Sequence, residues 1–277
     1  MRSAPPLTFA AVDGLGFAAA SGRLAVDQTA RFVPSSLGPL LELLCLVAGG
    51  RLPSPITGDW LDDNGARPMI AALQNQRECW IKPGDQRMGF IRAVHNSRDE
   101  DVLFAKFLMD AQRAARDVSR LHGTTPGQLV AAMRELESNI HEHCDAPDTG
   151  VLAFRAAADA FEFVVADRGI GILKSLQRCR LFADLDDHGK AMQAALSDGT
   201  SRFGSDSRRG YGFRPIFLGL ANLRGSLRFR TGDHALVIDG TSPSLATAHL
   251  AQKPFIDGFF ASVRCHSGTA RRGVQHD

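Results

Sequence analysis

The sequence has no long apolar run. Its longest, LGPLLELLCLVAGG at 37–50, is too short to span a bilayer and carries Glu42. No membrane partner is therefore expected. The N-terminus has Arg2, but Asp13 and Gly14 interrupt any apolar leader, so no signal peptide is expected. Cysteine is sparse and scattered. Cys45, Cys79, Cys144, Cys179 and Cys265 form an odd set with no C-x-x-C pair, which argues against a disulfide framework and against a Cys-rich zinc module. Reduced thiols in a cytoplasmic protein are the expectation. Charge of one sign is also lacking: 32 Lys and Arg face 30 Asp and Glu, a net +2, and nucleic acid recognition usually needs a clustered basic face. Repeats and low-complexity segments are absent.

What is present is ordinary globular material. With 277 residues, 44% hydrophobic and 22% charged, the chain can build one large or two modest domains around a substantial core. Residues 7–33 read as short strands, LTFAAVDG, RLAVD and ARFV, broken by glycine and polar residues. The stretch 34–50 reads as a helix with a serine cap and a glycine stop. ECWIK and MGFIRAV are strand-like. From 97, Leu103, Phe104, Phe107, Leu108 and Ala111 make one apolar helical stripe. A second helix follows in GTTPGQLVAAMRELESNIHEHC, with Thr124 or Thr125 at its cap and Pro126 in its first turn. VLAFRAAAD and AFEFVVAD are strands, 172–209 is polar and weakly periodic, and RRGYGFRPIFLGLANLRG is a glycine turn entering a helix. SLRFRTG, HALVIDG and FIDGFFASVRC read as three further strands. Consecutive strands favour an antiparallel or mixed sheet with helices on one face.

RELESNIHEHC, 134–144, concentrates two histidines, a cysteine and three glutamates. Residues four apart share a helix face, so Glu135, Asn139 and His143 form one stripe, while Glu137, His141 and Cys144 lie elsewhere around the cylinder. A helical zinc pair needs histidines four apart; His141 and His143 are two apart and point away from each other. This excludes a zinc pair and leaves His141 as a solvated residue.

Two further motifs follow. In FVVADRGIG, Asp167-x-Gly169-x-Gly171 ends an apolar strand; an acid there can accept from an exocyclic amine, and the glycines let backbone approach a flat ring. In RRGYGF, Gly210 and Gly212 precede a helix, where free N–H groups can bind phosphate. In this order, E-x-x-x-N, D-x-G-x-G, a polar stretch and R-G-x-G resemble the GHKL superfamily of DNA gyrase, ninety-kilodalton heat-shock chaperones, histidine kinases and MutL. The closest flavour is the histidine-kinase-like ATPases, including anti-sigma serine kinases.

The resemblance implies an α+β fold: a GHKL α/β sandwich over 97–265, a mixed or antiparallel sheet with helices on one face, and an ATP lid at 172–209. It implies ATP with Mg²⁺, Glu135 as general base, and Asn139 as the metal-holding residue. Asp167 would read the adenine amino group, with Gly169 and Gly171 flanking the ring. Arg209, Gly210, Tyr211 and Gly212 would lie at the phosphates, with Arg208 and Arg209 neutralising charge. The implied activity is ATP hydrolysis or γ-phosphate transfer, with lid closure controlling a protein partner. An anti-sigma-type protein serine kinase and a nucleotide-gated module without turnover are the alternatives, and a homodimer stays open. Three positions depart from the pattern: Glu142 stands where a lysine is frequent, Phe259 follows Gly258 where a threonine is frequent, and Tyr211 separates the glycines of the second box.

The first 96 residues are expected to form a small α/β domain. RLAVDQTARFVPSSLGPLLELLCLVAGG is similar to a degenerate STAS-type module, in which a serine such as Ser35 or Ser36 is phosphorylated; a helix cap is the competing reading. His122 is read as a residue of a helix C-terminus rather than a phosphoacceptor. Residues 266–277 are expected to be a disordered tail.

Overall fold

A computed structural model of the chain describes residues 4–24, 32–34, 36–53, 65–93, 102–196, 225–238 and 248–267. The first helix is α1 (Phe9–Ala20), entered through Thr8, whose side chain accepts from the Ala11 amide at 3.2 Å. This corrects the strands expected from residue 7: FAAVDGLGFAAA is alanine-rich and capped, and those local signals override its glycines. Next come α2 (Leu37–Ala48) and α3 (Arg67–Gln74), the hairpin β1 (Cys79–Ile81) and β2 (Met88–Arg92), then α4 (Val102–Asp117) and α5 (Thr125–His143). The strands β3 (Val151–Ala156) and β4 (Ala160–Ala166) follow, then α6 (Gly171–Gln177) and α7 (His188–Leu196). The long strands β5 (Gly225–Ile238) and β6 (His249–His266) complete the described elements. SLRFRTG and HALVI are therefore one strand rather than two, with the ladder shifting register around Gly232. His122 is exposed in the connection between α4 and α5, beyond the last turn of α4, so the helix dipole does not act on it as expected.

The six strands form one antiparallel sheet in the order β1-β2-β3-β4-β6-β5. The sheet thus runs across residue 96, with β2 paired to β3 from Met88↔Arg155 to Arg92↔Val151. Helices cover both faces, not one. Leu152, Phe154, Phe163, Val165, Phe229, Ala261 and Val263 pack with α4, α5, α6 and α7. Ala153, Val164, Ala166 and Phe260 pack with α1, α2 and α3 on the other side. Strand alternation explains the split, since successive side chains point to opposite faces. The central β4, AFEFVVA, is buried along its whole length because each face meets a helical layer.

Its one charged residue, Glu162, is buried for a local reason. Its Oε2 accepts the Leu37 amide at 2.6 Å and the Ser36 hydroxyl at 2.9 Å, satisfying orphan groups at the start of α2. Ser36 thus occupies the helix-cap position without making a side-chain bond into its own helix, and Ser35 lies outside the described residues. A second buried charge cluster ties α1 and α2 to β5. Glu42 accepts from Arg228 at 2.8 and 2.9 Å and from Arg230, and Asp13 accepts from Arg228 at 2.5 Å. Arg230 also donates to the Pro254 carbonyl.

Candidate functional site

On α5, Leu129, Met133, Leu136 and Ile140 face the core. Helical spacing places Glu137 and His141 on one flank of that stripe and Asn139 and His143 on the other. Glu137 is buried and His141 largely so, and the two are bonded to each other at 2.6 Å, so His141 is a packed partner of a buried carboxylate, not the solvated residue expected. Their flank is the one shared with Gly127, which turns toward Gln112 of α4. Glu135 is exposed and Asn139 half-buried.

Asp167 follows the last residue of β4 and is only 2% exposed. Its amide donates to the Phe259 carbonyl at 3.0 Å, and its Oδ1 accepts from the Gly169 amide at 2.7 Å. Its Oδ2 is buried with no hydrogen-bond partner among the described residues. Burial pushes the carboxyl up to about 7, partly offset by the backbone groups of Gly169 and Phe259.

Glycines form the walls around it. Gly169 runs against the end of α5, where a β-carbon would collide with the Cys144 carbonyl; that carbonyl accepts the Ile170 amide at 2.9 Å. Gly258 has φ +70°, and a β-carbon there would overlap the Asp167 backbone and Oδ1. Gly171, with φ +71°, opens α6 beneath the Gly258 carbonyl. Thr231 ties these pieces together. Its hydroxyl donates to the Gly258 carbonyl at 3.0 Å and accepts the Ile172 amide at 3.1 Å.

Asp167, Gly169 and Gly171 lie together with Gly258 and with Thr231, a residue that the sequence motifs do not point to. Thr231 lies opposite Phe259 in the β5–β6 register, so a hydroxyl is supplied from the neighbouring strand at the level where β6 carries a phenyl ring. The only signal for it was the T-G dipeptide in SLRFRTG, which cannot be placed without the strand register. Arg208, Arg209, Gly210, Tyr211 and Gly212 lie outside the described residues, as does the part of the expected lid from 197 onward.

Two thiols flank the aspartate. Burial, with a further push from Asp167, raises Cys144 to about 11. Burial and Glu42 raise Cys45 on α2 to about 12, again with Asp167 contributing. Neither is a thiolate at neutral pH, and none of the five cysteines is in a disulfide. Among the described residues there is no cluster of three His, Cys, Asp or Glu side chains able to hold a metal, and no helix long and apolar enough to cross a membrane. Compared with protein-family models, curated proteins and solved structures, the chain finds no match.

Proposed function

We propose that the chain binds ATP with Mg²⁺ and hydrolyses it or passes on its γ-phosphate, and that closure over the nucleotide controls a protein partner. One observation carries this reading: the partnerless Oδ2 of Asp167, buried inside a ring of glycines. A buried acceptor without a donor is costly until a donor arrives. The exocyclic amine of a flat base is such a donor, and Gly169, Gly171 and Gly258 present backbone rather than side chains around the aspartate.

The rest of the assignment follows the resemblance. Magnesium prefers oxygen ligands and keeps several waters, so the amide oxygen of Asn139 and the phosphates would suffice to hold it. Glu135, exposed on the same stripe, would accept the proton of an attacking water or hydroxyl. Arg209, Gly210, Tyr211 and Gly212 would neutralise and cradle phosphate.

The test is a thermal-shift series with ATP, ADP and Mg²⁺, followed by calorimetry and phosphate release. Binding that is lost in Asp167→Asn supports the reading, and absence of any nucleotide-dependent shift overturns it. Tight binding with no released phosphate assigns a nucleotide-gated module instead. Label transferred to a protein partner assigns a serine kinase.

A further inference from the structure

We propose that α2 and the turn after it form the transmission element of the Asp167 site, so that the state of the site and the seating of α2 are one coupled equilibrium. The site's walls are Asp167, Gly258 and Thr231. A polar anchor from α2 or its C-terminal turn holds the residue next to each of them. Beside Asp167, Arg168 donates through Nη1 to the Ala48 carbonyl at the end of α2, at 2.8 Å. Beside Gly258, Asp257 accepts from Arg51 at 2.8 and 3.3 Å, and Gly49 passes close to the same carboxylate. Beside Thr231, Arg230 is fully buried and donates to Glu42 in the middle of α2.

Strand geometry explains two of these pairs. In β5, Leu227 and Phe229 belong to the layer of α4–α7, so Thr231 faces that side and Arg230 faces α2. The same alternation continues past β4: Val165 faces α4–α7 and Ala166 faces α2, which sends Asp167 and Arg168 to opposite sides. The third pair relies on the register shift around Gly232, which lies close to Gly258 across the β5–β6 ladder. Each wall residue therefore has a handle on the far face of the sheet, and one helix with its C-terminal turn holds all three.

The connection extends to α7. Arg51 lies over the Phe255 ring, 4.6 Å from its centroid, and His188 at the start of α7 meets that ring edge-on at 5.6 Å. A displacement of the Asp167 turn, of β6 at 257–258 or of β5 at 230–231 must be taken up by α2 or resisted by it. Coupling of this kind is reciprocal in free energy.

The nucleotide arm of the test rests on the proposed function; the other arm does not. Amide hydrogen exchange is followed in the full-length chain, with the β1–β2 hairpin as an internal control. Arg51→Ala cuts an exposed pair at the end of α2. Without any nucleotide, it is expected to speed exchange at 167–173 several-fold while the hairpin is unchanged. Unchanged exchange at 167–173 overturns the coupling. Asp167→Asn is expected to alter exchange of Leu37–Ala48 in return. With ATP and Mg²⁺, protection should spread to Leu37–Ala48, and Arg51→Ala should change the dissociation constant about fivefold. Nucleotide that binds the wild type while Leu37–Ala48 and the Arg51→Ala affinity stay unaltered also overturns it. A wild type that binds no nucleotide removes the proposed function and leaves the nucleotide-free arm to decide the coupling.

Discussion

Gly258 leaves no room for a side chain over Asp167: a β-carbon there would run into the aspartate's backbone and its Oδ1. The glycine also holds φ at +70°, where an L side chain is strained. Gly258→Ala is expected to destabilise the protein by about 3 kcal/mol, the sum of overpacking and left-handed strain. Urea denaturation measures the loss, and an effect below about 1 kcal/mol would show that the wall yields.

Asp167 makes stability depend on pH. Its folded-state value is about 7 against an ordinary 3.8, so between those values the folded state holds a proton that the unfolded chain has released. Stability from this group therefore falls as pH rises through that window. Wild type should melt higher at pH 5 than at pH 8, and Asp167→Asn should remove that difference and melt higher than wild type at pH 8. The same substitution should weaken ATP at least about tenfold, since the carboxylate acceptor is lost. A melting profile with the opposite slope that disappears in the variant would reverse the assignment of sign.

Two glutamates two residues apart on α5 should separate cleanly. Glu135 is exposed, so Glu135→Ala should stay within about 0.5 kcal/mol of wild-type stability while lowering phosphate release by roughly a hundredfold. Glu137 is buried against His141, so His141→Ala strands a carboxylate and should cost about 1–3 kcal/mol without changing nucleotide affinity. Parallel denaturation and turnover assays distinguish the pair.

The Glu42 cluster predicts a large structural effect. Removing the carboxylate leaves Arg228 and Arg230 buried without their main partner, and Glu42→Ala should cost about 3–5 kcal/mol by urea denaturation. A loss under about 1 kcal/mol would mean that water reaches the guanidinium groups.

Two kinds of element were legible in the sequence: helices with one wet face, and hairpin strands set off by turn residues. The helices α4 and α5 carry apolar stripes, and the β1–β2 and β3–β4 hairpins carry apolar runs between turn residues. The helix α1 was misread because FAAVDGLGFAAA has no polar face to set a period and its glycines imitate strand breaks. The second helical layer does leave a signal in the sequence. A central strand written AFEFVVA is apolar in both alternations, so both sheet faces needed cover. At the site, Asp167 and its glycines are adjacent in sequence and could be found there. Thr231 and Arg230 reach it only through the β5–β6 register, and the Glu137–His141 pair shows itself only once burial is known.

Glu42 and Arg228 are 186 residues apart. A growing chain therefore completes α2, most of it destined for burial, long before β5 exists to neutralise its carboxylate. Until then the helix offers apolar surface together with a charge that has no counterion, a combination that favours capture by other chains over docking. The first layer to be synthesised is the last to be sealed, and a chain truncated before residue 225 cannot seal it.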